Sequence, residues 1–273
     1  MKSCFAALSL VFLSSFVSLG QNEMVIEGTY QGENLFVQNP FAASGVGFCI
    51  IDVSINGEQS IDEINSSAFE IDFTSYQLAK GQSVRVKIEY KDDCSPRVLN
   101  PEVLKSSSTF VLVASDVDKN GLITWSTTGE SGPLPYVIEQ FRWNKWVKVG
   151  EVKGKGLAGT NNYSFQATPH SGPNKFRLKQ VDHTKKPRYS KDIRLIRSAA
   201  PEVVITNGDK SKVESTISFG TPEGGSAETM YEIVNSYGVL VKKGVGSSVD
   251  VSGLAEGDYW ISYDNKVESF TKK

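Results

Sequence analysis

The chain has 273 residues, of which 39% are hydrophobic, 22% charged and 10% aromatic, with a formal net charge of −2. That apolar share supports two or three packed domains and excludes a disordered chain or a collagen-like repeat. The small total hides an internal polarity: residues 22–106 carry 13 acids and 6 bases, residues 107–200 carry 7 and 15, and residues 201–273 carry 11 and 7. A basic segment therefore lies between two acidic ones.

At the start, Lys2 supplies a positive charge, Cys4 to Val17 an apolar run, and Ser18-Leu19-Gly20 small residues before Gln21. This is the pattern of a secretory signal peptide, residues 1–20, cut after Gly20. The run is short of the roughly 20 residues a membrane-spanning helix needs, and the mature chain is expected to carry no transmembrane span. Two cysteines then remain, Cys49 and Cys94, in a chain that passes through an oxidising compartment, and they are expected to pair. Closing that loop would restrict the unfolded chain by about 4 kcal/mol on a loop-entropy argument. Two thiols and two histidines (His170, His183) do not suggest a Cys/His zinc site, and no cofactor or metal is expected.

From Met24 to about Lys105 the pattern is of short strands between turns. Ser83–Tyr90 alternates Val84, Val86, Ile88 and Tyr90 with Arg85, Lys87 and Glu89, as a half-buried strand does. Val46–Val53 is nearly continuous and apolar, which suggests a central strand holding Cys49, and Asn56-Gly57 marks a hairpin after it. Asn100-Pro101 and Ser106-Ser107-Ser108 read as a boundary. Beyond it, Ile123 and Trp125, then Val137, Phe141 and Trp143, then Phe176 and Leu178 alternate with polar neighbours at about ten-residue intervals, the spacing of an immunoglobulin-like sandwich. Pro201–Lys273 repeats the style, with turns at Ser236-Tyr237-Gly238 and Tyr263–Lys266. The expected fold is all-β, three consecutive sandwiches over residues 21–106, 107–198 and 199–273.

Asp116-Val117-Asp118-Lys119-Asn120-Gly121 looks like half of a calcium loop, but the twelfth position is Thr127 where a bidentate glutamate is needed. A hairpin turn closed by Asn120-Gly121 accounts for it better. No nucleophile elbow or zinc-binding histidine pair occurs, so no catalytic residues are assigned and the chain is read as a non-enzyme. A hydrolase built from scattered carboxylates in residues 22–106 stays as an alternative. The richest surface candidate is Gln140–Lys148, where Arg142, Trp143, Lys145, Trp146 and Lys148 interleave aromatics with cations. Such a stretch can bind a carbohydrate or an anionic polymer. Equally, its tryptophans can be sheet packing and its lysines a solvated rim.

The order Gly121–Glu130, Tyr136-Val137-Ile138-Glu139, Trp146–Gly150, Tyr163-Ser164-Phe165, Phe176–Asp182 and Tyr189-Ser190 resembles the fibronectin-like domain that precedes the sorting domain in proteins exported by the type IX secretion system of Bacteroidota. Val249-Asp250-Val251-Ser252-Gly253-Leu254, Gly257-Asp258-Tyr259 and Lys272-Lys273 resemble the end of the type A sorting domain itself. The usual Asn-Pro opening is replaced by Ile205-Thr206-Asn207-Gly208. The resemblance implies Leu254, Gly257, Tyr259, Lys272 and Lys273 as the sorting motif, the type IX machinery as partner, and a secreted or outer-membrane-surface destination. It also implies cleavage near residue 201. Leu254 and Tyr259 are expected to pack, Gly257 to turn, and the terminal lysines to leave a solvated cationic end. The expected function is structural or adhesive, with a surface polysaccharide or another surface protein as the second partner.

Overall fold

The computed structural model describes residues 22–92 and 94–273, so the signal-peptide reading of residues 1–20 lies outside the described residues. The chain is almost entirely antiparallel β-structure and divides into two compact units. Among the described residues the first comprises 22–27, 34–76 and 84–103, and the second comprises 28–33, 77–83 and 104–273.

The N-terminal strands are β1 (Asn22–Thr29), β2 (Leu35–Gln38), β3 (Ile50–Ile55), β4 (Glu58–Gln59), β5 (Ala68–Ile71), β6 (Ser83–Tyr90) and β7 (Arg97–Val98). They form two sheets, ordered β1-β6-β3-β4 and β5-β2-β7. Alternation decides what each buries: Val84, Val86 and Ile88 of β6 point inward with Val53 and Ile55, while Leu35, Val37, Phe69 and Ile71 are buried on the other sheet. Cys49 and Cys94 are bonded, with their Cα atoms 5.5 Å apart.

Strand β3 begins at Ile50, four residues later than the apolar run suggests. Gly45 and Gly47 have φ of 76° and 70°, left-handed values that break an extended strand, and the chain folds back so that Phe41 stacks on Phe48 at 4.4 Å. Cys49 therefore sits just before the strand instead of within it, with its amide bonded to the Pro40 carbonyl.

The second unit contains two sandwiches. One is built from β8 (Val111–Val117), β9 (Leu122–Thr128), β10 (Tyr136–Arg142), β11 (Lys145–Val152), β12 (Asn161–Gln166), β13 (Asn174–Val181), β14 (Pro187–Tyr189) and β15 (Ile193–Leu195). Its sheets run β12-β9-β8 and β11-β10-β13-β14, with β15 also paired to β13. The half-calcium pattern is the β8–β9 turn, where Asp118 accepts the amides of Asn120 and Leu122. Gly121 has φ of 87° there, and a Cβ on it would meet the Ala167 carbonyl at 2.6 Å.

The core of this sandwich is aromatic: Trp125 stacks on Tyr163 at 5.2 Å, and Phe110 meets Tyr136 edge-on at 5.1 Å. Within it Glu130, 3% exposed, accepts from Thr127, from Tyr136 (2.9 Å), from Tyr163 (2.7 Å) and from the Gly156 amide (2.8 Å). A buried carboxylate is tolerable only with such a set of donors.

The other sandwich has β16 (Val204–Ile205), β17 (Thr216–Gly220), β18 (Thr229–Asn235), β19 (Leu240–Gly246), β20 (Ser248–Asp250), β21 (Gly257–Tyr263) and β22 (Lys266–Lys272), in sheets β16-β17-β20 and β19-β18-β21-β22. Ile217, Phe219, Ile233, Val251, Ile261 and Tyr263 form its core.

Candidate functional site

The predicted Arg142–Lys148 stretch forms the tip of the β10–β11 hairpin, and strand alternation divides it between two places. Trp143 and Asn144 make the two-residue turn with φ of 51° and 60°. Two left-handed residues in succession suit a tight hairpin, and asparagine accepts this readily while tryptophan does not. Something must hold Trp143 there, and three contacts do: its indole N–H donates to the Tyr263 carbonyl at 3.4 Å, and Arg142 and Lys145 approach its ring at about 6 Å.

Below that tip lies a buried polar junction between the two sandwiches of the second unit. Arg142 is 3% exposed and faces inward. Its Nε donates to Gln140 Oε1 at 2.6 Å, Nη2 to the Thr168 carbonyl at 2.7 Å and Nη1, more loosely, to the Asp264 carbonyl at 3.5 Å. Burial pulls its guanidinium down to about 10, while the nearby Asp264 charge works the other way. Asp264, 1% exposed, occupies the β21–β22 turn with φ of 44° and accepts from the Ser171 amide (2.8 Å) and the Ser171 hydroxyl (2.5 Å).

The same junction carries Asn174, which binds the 170–172 loop through the His170 amide and carbonyl and the Gly172 carbonyl. His170 is buried with Nδ1 2.7 Å from the Ser171 carbonyl, and desolvation pushes its pKa below the ordinary histidine value, with the Ser171 contact opposing. Lys145 reaches across to Glu232, and Lys266 pairs with Glu202 at 2.6 Å. The connecting segment is tied down as well, Ser198 to the Gly172 carbonyl and Ala199 to the Lys119 carbonyl. A cavity of about 290 Å³ beside the junction is lined by Arg142, His170, Asp264, Val203 and Met230.

Trp146 and Lys148 go to the opposite side, the outer face of the β11-β10-β13-β14 sheet. Trp146 pairs with Phe141 and meets its ring edge-on at 5.3 Å. The Arg177 guanidinium lies 4.2 Å over Trp146 and 4.0 Å over Tyr189, sandwiched between the two rings, while its Nε donates to Glu139 at 2.7 Å. Lys179 also approaches Glu139, at 3.6 Å, and Lys148 pairs with Glu151 at 2.7 Å. Sequence reasoning missed Arg177, Tyr189, Asp264 and Ser171 as partners. The signal for Arg177 was the alternation of Lys175, Arg177 and Lys179 with buried Phe176 and Leu178, whereas Asp264 carries no local signal beyond its turn.

The predicted sorting residues all belong to the last sandwich. Leu254 packs against its core, Gly257 opens β21 at φ 147°, and Tyr259, 7% exposed, stacks on Phe270 at 5.4 Å and donates to the Ala255 carbonyl. The expected solvated cationic end is corrected: Lys272 is 7% exposed. Strand β22 continues to that residue, which pairs with Gly257 and bridges Val213 in parallel. Its stem is thereby carried inward, and its ammonium bonds the Lys273 carbonyl.

Among the described residues no group of three or more His, Cys, Asp or Glu is placed to hold a metal ion. No helix among them is long and apolar enough to cross a membrane, which says nothing of a β-barrel. No family model matches the chain, and no curated protein matches it either. Similar solved structures include a tetra-tandem repeat in the extending region of a large adhesion protein (11% identity, 92% of this chain and 73% of that one, TM-score 0.31). Others are the fibronectin(III)-like modules of Clostridium thermocellum CbhA (12%, 60% and 92%, TM-score 0.22) and the FN1–FN3 domains of chicken CNTN1 (9%, 93% and 98%, TM-score 0.23). At such scores the likeness carries no argument, and the all-β sandwich assignment rests on the sheets described above.

Proposed function

We propose that this chain is a secreted or surface-displayed structural and adhesive protein with no catalytic role, exported by the type IX route with residues 199–273 as its address. The observation that carries this reading is the junction around Arg142, Asp264 and Ser171. It joins two sandwiches through buried hydrogen bonds, as suits a rigid spacer whose outer sheet faces are left for contact. The Cys49–Cys94 bond suits an oxidising compartment, and the resemblance of residues 249–273 to a sorting domain suits the route. The motif residues Leu254, Gly257 and Tyr259 would then act as part of a folded module.

The test is fractionation of cells that make the native protein, with mass spectrometry of its C-terminus and an adhesion assay on a deletion strain. Surface or medium localisation, lost without the export machinery, and weakened adhesion are expected. Retention inside the cell together with unchanged adhesion would sink the reading. A chromogenic-substrate screen of the mature protein tests the competing hydrolase in residues 22–106, for which turnover would be required.

A further inference from the structure

We infer that the outer face of the β11-β10-β13-β14 sheet, with β15, is a docking surface for an acidic polysaccharide. The inference rests on the adhesive reading and names what would be adhered to. Strand β13 presents Lys175, Arg177 and Lys179 on this face at every second residue, about 7 Å apart along the strand. The β13–β15 register sets Arg194 beside Lys175, and the β10–β11 register sets Lys148 beside Glu139. Three carboxylates share the face with these five cations, Asp192 among them at 3.7 Å from Arg194. Glu151 is paired to Lys148, and Glu139 lies beneath, its side chain 9% exposed against 20% for Arg177 and 30% for Lys179. Arg177 and Lys179 therefore stand above the acid that orients them, on a module that is itself strongly basic.

Arg177 is held in place before any ligand arrives. Two rings and Glu139 fix its guanidinium, so the rotamer entropy that a free arginine loses on binding is already lost on folding. Lys175, 5.6 Å over the Phe141 ring, is partly ordered in the same way.

The choice between polyanions follows from the rings. A single-stranded nucleic acid gains affinity by stacking bases on open aromatic faces. Here Arg177 already takes one face of Trp146 and one of Tyr189, so the surface offers spaced charge with less open ring face than a run of stacked bases needs. A flexible polymer with carboxylate or sulfate groups along it needs only spaced charge. A protein partner would look for large apolar anchors at the centre of the patch, where this face has cations. Of the stretch singled out in the sequence, only Trp146 and Lys148 belong to this surface.

The test is affinity electrophoresis of the native mature protein in gels containing polygalacturonate, dextran sulfate or neutral dextran, with labelled oligothymidylate in a parallel titration at the same salt. Retardation by the acidic polysaccharides, weakened by added salt, and none by dextran are expected. The pair Lys175→Glu with Arg194→Glu should weaken acidic-polysaccharide binding about tenfold or more, since like charge then faces the polymer. Lys175→Gln with Arg194→Gln should weaken it less, and serves as a second reading if the glutamates disturb folding. A matched reversal elsewhere, Lys119→Glu with Lys212→Glu, should leave affinity nearly unchanged. Equal loss from that control, or tighter binding of oligothymidylate than of polysaccharide, overturns the inference. Absent polysaccharide binding with adhesion intact overturns the ligand alone, whereas polysaccharide binding by a protein that never leaves the cell overturns the adhesive reading.

Discussion

Arg142 and Arg177 sit on neighbouring paired strands, β10 and β13, and meet opposite fates. Arg142 points inward at the strand end, gives its N–H groups to Gln140 and two backbone carbonyls, and is sealed between two sandwiches. Arg177 points outward, lies between two aromatic rings and keeps a carboxylate at its side. The buried cation fixes how two modules meet, and the surface one presents charge to solvent. Residue type is the same; strand parity and strand end make the difference.

The largest expected effect is on the buried side. Asp264→Ala leaves the Ser171 amide and hydroxyl without their acceptor, takes the carboxylate charge from beside Arg142 and places alanine at a left-handed φ, at a cost of about 3–5 kcal/mol. Its melt should broaden or split as the last sandwich uncouples, and limited proteolysis should open the 196–202 segment. Asp264→Asn tolerates the turn and should fall between alanine and wild type in the same assays. A single unbroken transition for the alanine variant at wild-type temperature would show that the junction is not a structural latch.

Next in size is Glu130→Ala, which strands the Tyr136 and Tyr163 hydroxyls and the Gly156 amide in the core of the module that carries both arginines. A loss of about 2–4 kcal/mol in denaturant unfolding is expected. Tyr136, Tyr163 and Tyr263 add a pH dependence, because burial raises all three above the ordinary tyrosine value. An acid whose folded pKa is raised gives stability that is present below its unfolded value, about 10, and lost as pH climbs beyond it. Arg142, shifted downward, opposes with one group against three. The melting temperature should therefore fall steeply above pH 10.

His170 acts at the other end of the scale. It is a base whose folded pKa is lowered, so the unfolded chain takes up the proton first, and stability present above about pH 6.5 is lost as pH falls below that. The groups facing it are Arg142 and Asp264, and its protonation would press one cation on another. His170→Gln should flatten the decline in melting temperature between pH 7 and 5; an unchanged slope would assign it to other groups. The smallest effect belongs to the exposed arginine. Arg177→Lys keeps the charge but loses the planar stack, at about 0.5–1 kcal/mol in thermal unfolding.

Much of the architecture was legible in the sequence, and the residues show why. The alternation of Val84, Val86 and Ile88 marks one strand because a period of two has no other reading in a half-buried sheet. Cys49 and Cys94 are the only cysteines after Cys4, so the count alone pointed to their pairing. The Val46–Val53 run misled because hydrophobicity does not register a left-handed glycine pair. The Gln140–Lys148 stretch misled in another way. Its seven-residue core from Arg142 to Lys148 passes through a turn, and a turn followed by alternation scatters neighbours in sequence to opposite faces.

The sequence alone determined the all-β character, the turns at Asn56-Gly57 and Asn120-Gly121, the disulfide and the basic middle segment, because each depends on local periodicity, backbone preference or composition. Tertiary structure alone decided that Arg142 meets the Asp264 turn, 122 residues away, and that Arg177 lies between Trp146 and Tyr189. It also carried Lys272 inward by pairing the last strand with Gly257. Those outcomes depend on sheet order and on which module ends meet, and both are set by burial of surface far apart in the chain.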